Sequence, residues 1–430
     1  MVINMKLRFY NAKILTMENE NIIEGELHTD GAKIAYVGAE KPKNSDNEKF
    51  DREIDLGGNL IIPGFKNAHT HTAMTFLRSF ADDLPLNDWL YNQVFPHEAK
   101  LTEEAIYVFT QLGNMEYLTS GITSSFDMYF KLPSFSKANT DMGFRAVICG
   151  SINDFGGTVE GCEEEYHTYN SLDPLISYQL GFHAEYTTKR ETLEGMAALA
   201  RKLKAPLFAH NSETKAEVDG CFERYNMSPT QLFDKLGMFE YGGGGFHCVW
   251  FDEKDMEIFR DKGLCMVTNP ASNLKLASGI APICEMKKHG MKNFAIGTDG
   301  AASNNCLDMF REMFLVAGLQ KVRENDAAAC PAFDVLEMAT KGGALAMGLK
   351  DCDVLAEGKL ADLAVIDLQK PNMQPEHNIM KNIVYAGSKS NVCMTVVNGK
   401  ILYENGIFSS VDEQEVYQRA NKLAREICNK

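Results

Sequence analysis

A chain of 430 residues, 45% hydrophobic and 24% charged, can bury one large core, alone or with an appended smaller domain. Its 59 acidic and 43 basic residues leave a net charge of −16, which repels a phosphate backbone and an anionic bilayer, and no apolar run approaches the roughly 20 residues needed to span a membrane. The 11 cysteines are odd in number and never spaced CxxC, which argues against a disulfide framework or a thiolate zinc site. With no secretory apolar core near residue 1, they lead us to expect a cytoplasmic protein whose partner is a small molecule rather than nucleic acid or membrane.

Residues 1–58 read as short strands and turns. "LRFYNAKILTM" and "KIAYVGA" are β-rich, and Asp30-Gly31 offers a hairpin turn. The far end reads alike: "ADLAVIDL" (361–368) and "CMTVVNGKILYENG" (393–406), with Asn398-Gly399 between two β-rich runs. Neither end has enough apolar residues to fold alone. We therefore expect one small β-sandwich domain assembled from residues 1–58 and 354–430.

Between the ends, apolar strands alternate with amphipathic helices. In "TEEAIYVFTQLGNMEYLTSG" (102–121), Ile106, Phe109, Leu112, Met115 and Leu118 fall at helical spacing, and Gly121 ends the run. Eight strands are expected in chain order: "LIIPGF" (60–65), "SSFDMYF" (124–130), "RAVICGS" (145–151), "YQLGFHA" (178–184), "PLFAHN" (206–211), "GFHCVWF" (245–251), "LCMVTNP" (264–270) and "NFAIGTD" (293–299). Eight such units imply an α/β fold, a (β/α)8 TIM barrel over residues 59–353. A doubly wound open sheet is the competing layout, but no GxGxxG follows the first strand. "GGGG" (242–245) lacks the GK[ST] of a phosphate loop and reads as a flexible entry to strand six.

In a barrel, reactive groups lie where strands end. His69 and His71 follow strand one, and side chains two apart on an extended segment point the same way. Strand four ends at His183, strand five at His210 with Glu213 three residues on, strand six carries His247, and strand eight ends at Asp299. Taken singly, each has a plain structural explanation: a loop pair, a satisfied core imidazole, a helix N-cap for Asp299, a first-turn acid for Glu213. Taken together, five of the ten histidines and two acids gather on one rim. Neutral imidazoles with one carboxylate make a nitrogen/oxygen site suited to Zn²⁺ or a similar divalent ion, Fe²⁺ included, with a position open to water. Hydrolysis at an unsaturated carbon then needs a group that takes and returns a proton. His28, His97, His167, His289 and His377 join no such constellation, although His97 stands beside Glu98.

"PGFKNAHTH", "HNSET", "FHCV", "NPASNLKLASGIAPI" and "GTDGAASNN", in this order, resemble the amidohydrolase superfamily. The resemblance covers essentially the whole chain. It is strongest to the deaminase branch that holds methylthioadenosine/S-adenosylhomocysteine deaminases, guanine deaminase and triazine hydrolases. It implies that His69, His71, His210 and Asp299 bind one divalent metal, that Glu213 shuttles a proton to the substrate ring nitrogen, and that Asp299 accepts one from the metal-bound water. It further implies that His247 hydrogen-bonds the attacking hydroxide, that His183 contacts substrate, and that Trp89 and Glu98, 18 and 27 residues after His71, line the ligand end away from the metal. A homo-oligomer is a further expectation of the family.

One departure stands out. The S-adenosylhomocysteine-type members carry two arginines 5 and 17 residues beyond an Arg-Ala pair. After Arg145-Ala146 those positions are Gly150 and Cys162, and neither Arg nor Lys occurs from 146 to 188. An arginine fork is the usual two-point grip on a carboxylate, so its absence argues against an amino-acid tail on the substrate. The expected activity is deamination of a nitrogen heterocycle, first an adenosine-type nucleoside resembling 5′-deoxyadenosine or methylthioadenosine. Guanine, pterin or another heterocycle, ring-amide or carbon–halogen hydrolysis, and a non-catalytic scaffold are the alternatives. A silent scaffold is expected to have lost ligands, and all four are present here.

Overall fold

Gly64 divides the chain between two sheets in this computed structural model, which describes residues 5–41 and 49–428. The N-terminal strands are β1 (Lys6–Leu15), β2 (Ile22–Asp30), β3 (Lys33–Gly38), β4 (Arg52–Asp55) and β5 (Leu60–Pro63). The barrel strands are β6 (Phe65–Thr70), β7 (Ile122–Asp127), β8 (Arg145–Cys149), β9 (Ile176–Gly181), β10 (Leu207–Asn211), β11 (Gly243–His247), β12 (Cys265–Thr268) and β13 (Asn293–Ile296). The last group is β14 (Leu363–Ile366), β15 (Val392–Val397), β16 (Lys400–Glu404) and β17 (Ile407–Phe408).

Strands β6 to β13 pair in sequential order, each parallel to the next. The ring is drawn together between β13 and β6 by Asp299 N–H donating to the His69 carbonyl (3.0 Å) and by reciprocal bonds between Asn67 and Thr298. This is the expected TIM barrel. Helix Glu103–Thr119, capped by the Thr102 hydroxyl, buries Ile106, Phe109, Met115 and Leu118 as the spacing implied.

Both chain ends contribute to a second, nine-stranded mixed sheet, ordered β17-β16-β15-β14-β5-β1-β2-β3 with β4 alongside β1. Its turns come together: Ala361 N–H donates to the Ala32 carbonyl and Gly399 N–H to the Ala361 carbonyl. Strand alternation sorts its side chains into two cores. Phe9, Ile14, Ile61, Leu363 and Val365 pack within the small sheet, whereas Leu15, Leu60, Ile62, Ala364 and Ile366 belong to the main core shared with the barrel. A buried ion pair crosses the junction, with Arg145 Nε 2.7 Å from Asp362 Oδ2. Helix Glu413–Cys428 contributes Val416, Ala420 and Ile427 to the main core and reaches the barrel helix through Arg419 and Glu104.

Two expectations are corrected. The run at 60–65 is not a single barrel strand: Leu60–Pro63 pairs with β1 and β14 in the small sheet, and the barrel strand starts at Phe65. The four residues are buried in either sheet, so their apolarity carries no sign of which one they join. The glycines at 243–245 are not a flexible entry but lie within β11, where a Cβ on Gly244 would sit 2.1 Å from the Cys265 carbonyl oxygen.

Candidate metal and substrate site

The expected rim residues converge. His69 lies near the end of β6 and His71 follows it by one residue, His210 lies near the end of β10, His247 ends β11, and Asp299 follows β13 by three residues. Ligand atoms of His69, His71 and His210 lie within 4.8 Å of one another, as do those of His69, His247 and Asp299. Asp299 Oδ1 is 3.2 Å from His71 Nε2 and 3.6 Å from His69 Nε2. All five residues are buried. His247 and Asp299 hold positive φ angles, 70° and 59°, which non-glycine residues rarely adopt and which concentrate at functional sites.

The surrounding bonds fix which ring nitrogens face the centre. His71 Nδ1 donates to the Met128 carbonyl at 2.6 Å and His210 Nδ1 to the His183 carbonyl at 2.7 Å, so each presents Nε2 inward. His247 Nδ1 donates to Asn273 Oδ1 at 2.7 Å. His69 stacks on Phe246 at 3.9 Å, and neither of its ring nitrogens has a hydrogen-bond partner although both are buried. Such groups are costly unless something else satisfies them, and a cation held between His69, His71 and His210 would satisfy one of the two. Ser272 and Ser303 hydroxyls donate to Asp299 Oδ2 at 2.6 and 2.8 Å, leaving Oδ1 toward the histidines. The donor set therefore fits a divalent cation.

The electrostatics agree. Burial holds His69 and His210 well below the ordinary imidazole range, the neutral form that ligation requires. Burial disfavours charge on His71 and Asp299 too, yet their mutual bond raises His71 to about 9 and holds Asp299 well below the carboxylate range. The centre thus stabilises positive charge beside Asp299.

Glu213 stands next to this centre, with Oε2 3.8 Å from His247 Nε2 and Oε1 accepting from the Ser278 hydroxyl at 3.0 Å. The Glu217 carboxylate accepts the main-chain N–H groups of Ser212 (3.0 Å) and Glu213 (2.8 Å) and so shapes this turn. Burial, followed by the charge of Glu213, raises Glu217 to about 7.

A cavity of about 920 Å³ opens from the centre, and Trp89, Glu98, His183, His210, Glu213 and His247 all line it. Tyr129 OH donates to Glu98 Oε1 at 2.6 Å, and burial raises Glu98 to about 7. His183 Nδ1 lies 2.8 Å from the Thr187 hydroxyl, and burial lowers its imidazole to about 4. Every residue expected at the site is therefore on the cavity wall or in the histidine cluster. His97 is not; its Nδ1 bonds the Gln93 carbonyl and its ring meets Phe80. The supporting residues Glu217, Ser272, Asn273, Ser278 and Ser303 were not foreseen. Three of them stand in the quoted "NPASNLKLASG" stretch and Ser303 in "GTDGAASNN", so the motifs held them without revealing their partners.

Residues 60–402 match the amidohydrolase family. The 5-methylthioadenosine/S-adenosylhomocysteine deaminase of Pelotomaculum thermopropionicum is 38% identical over 428 residues, covering 97% of this chain and 98% of its own. The enzyme of the same name from Dictyoglomus thermophilum is 39% identical over 388 residues, covering 89% and 91%. Among solved structures, an adenosine deaminase from Xanthomonas campestris with bound zinc superposes with a TM-score of 0.92 at 31% identity over 99% of each chain. By its motifs, its barrel, its histidine–aspartate cluster and these full-length matches, the chain belongs to the amidohydrolase family.

Proposed function

We propose that the protein is a cytoplasmic hydrolytic deaminase that converts an adenosine-type nucleoside to the inosine-type product and ammonia, with one divalent ion, most simply Zn²⁺. The observation that carries the reading is the placement of Glu213: one carboxylate oxygen faces His247 beside the histidine–aspartate cluster, at the floor of a cavity large enough for a nucleoside. Relatives and a structural neighbour named as deaminases of such nucleosides support it.

His69, His71, His210 and Asp299 would hold the ion, which supplies Lewis acidity and lowers the pKa of a coordinated water to about 7. Glu213 takes a proton from the attacking water and delivers it to the ring nitrogen next to the amine-bearing carbon, turning the ring into a better acceptor. Its bond from Ser278 orients the carboxylate for both transfers. His247, whose Nδ1 is committed to Asn273, offers Nε2 to hold the water in line. Asp299 accepts the water's second proton and passes it to the departing amine, while Ser272 and Ser303 keep its other oxygen in place. At the far wall, Glu98 accepts from a sugar hydroxyl, and Trp89 and His183 bound the ligand.

Incubating purified protein with adenosine, 5′-deoxyadenosine and methylthioadenosine tests the reading. Loss of the adenosine absorbance with stoichiometric ammonia release is the expected result. No ammonia from any of the three, with metal bound, would overturn it.

A further inference from the structure

Beyond the metal centre, the cavity wall is completed by Cys162, Glu165 and Tyr169, all from helix Val159–Leu172. Glu165 is fixed rather than loose: the buried Tyr178 donates its hydroxyl to Oε2 at 2.9 Å. That hydroxyl also occupies the space beside Gly150, where a Cβ would lie 2.7 Å away. A Cβ there would also lie 2.8 and 2.9 Å from the Gly181 carbonyl oxygen and amide nitrogen, so a side chain at 150 is barred by main chain as well as by the Tyr178–Glu165 pair.

Four carboxylates line the cavity: Glu98, Glu165, Glu213 and Asp299. Among the described residues the wall offers one lysine or arginine to set against them, Lys131, whose ammonium lies 3.6 Å from Glu103, and His71, which is paired with Asp299. The cavity wall also carries the apolar side chains Tyr91, Phe95, Ile152 and Phe155, with Ser151, Asn153 and Thr158 as uncharged polar groups. A group docked in this cavity meets aromatic and aliphatic carbon and, at Glu165, an anchored carboxyl whose pKa burial raises while the Tyr178 bond opposes the rise.

We propose, given the deaminase reading above, that Glu165 sets specificity at the substrate's 5′ end: the pocket takes a neutral thioether or an ammonium-bearing tail and rejects a carboxylate. Glu213, Asp299 and the ion's ligands act on the base, Glu98 on the sugar, and Glu165 on the 5′ substituent. Like charges brought together in a confined site are strongly penalised, so discrimination arises by repulsion as much as by fit. Tyr178 is a positioning residue in this scheme, since it holds Glu165 without reaching the ligand.

The test uses the full-length, metal-loaded protein and three 5′-deoxyadenosines carrying methylthio, 3-aminopropylthio and 2-carboxyethylthio groups, with kcat/KM read from ammonia release. The methylthio and aminopropylthio compounds are expected to exceed the carboxylate by ~10-fold or more. In Glu165→Gln the ammonium-to-carboxylate ratio should fall by a similar ~10-fold, whereas a merely structural role would lower all three compounds together. Tyr178→Phe should raise KM for the ammonium compound more than for the methylthio one. Equal use of the carboxylate compound by the unaltered protein, or an unchanged ratio in Glu165→Gln, overturns the proposal while leaving deamination intact. No turnover of all three removes the deaminase reading and this inference with it.

Discussion

Glu217 holds Glu213 by its main chain: the buried carboxylate four residues on accepts from the N–H groups of Ser212 and Glu213 at 3.0 and 2.8 Å. The side chain proposed to carry the proton is thus placed by a second acid four residues on. Replacing Glu217 by alanine strands two buried donors and loosens the turn, and kcat should fall about 100-fold, the scale expected of a misplacement near 1 Å. Glu217→Gln keeps an acceptor and should recover part of the loss. Steady-state kinetics with metal content measured in parallel checks this, because a drop in bound metal would assign the effect elsewhere.

Removing the proposed proton carrier itself is more severe. Glu213→Gln preserves shape and the Ser278 contact but cannot take or return a proton, and kcat should fall by roughly 10²–10⁴-fold. Metal content and thermal midpoint should hold, since Glu213 is outside the assigned ligand set. Retained turnover would show that another group moves the proton.

Chelation supplies an independent readout. An ion that binds the folded chain and not the unfolded one stabilises it by roughly 4 kcal/mol at a thousandfold excess over Kd. Protein stripped by a chelator should melt several degrees lower and recover on adding Zn²⁺, while His69→Ala should start low and gain little. Calorimetry with and without added ion decides it.

Asp362 joins the two sheets. It receives Arg145 through two bonds and the Asn398 N–H at 2.7 Å, and Arg145 holds its buried carboxyl below the ordinary range although burial pushes the other way. Asp362→Asn leaves a buried guanidinium uncompensated and should cost about 3–5 kcal/mol in urea unfolding. A loss below 1 kcal/mol would mean that the pair is not coupled to global stability.

Glu312 gives a pH signature. Burial raises its carboxyl to about 8, and it accepts from Ala271 N–H and the Asn304 amide. Its folded pKa lies above its unfolded value, so the native state holds this proton more tightly and stability is lost as pH rises from about 4.5 to about 8. Glu312→Gln removes that proton uptake and should flatten the slope. Urea midpoints at the two ends of this window, in both proteins, measure the difference.

Much of the site was legible because its chemistry sits at strand ends. His69 and His71 share a face by the two-residue period of an extended chain, and His183, His210, His247 and Asp299 each close an apolar run. The barrel was legible for the same reason, as eight apolar runs alternated with helical spacing. What was hidden depends on loop geometry. Asn273 is 26 residues from His247, and Ser278 is 65 from Glu213; no local pattern joins them. Glu165 read as one of three consecutive acids, and only the cavity separates it from Glu163 and Glu164. The 60–65 run misled because a strand buried on both faces looks the same in either sheet.

Pro63 ends a strand of the small sheet, and His69, six residues later, belongs to the histidine–aspartate cluster. Any shift in the seating of β5 is therefore handed along a short tether to the candidate metal site. Swapping terminal β-modules between relatives at residue 59 would sever β5 from its partners, so viable crossovers should fall past Gly64, and substitutions at Ile61 or Leu363, in the core of the small sheet, should surface as altered metal affinity.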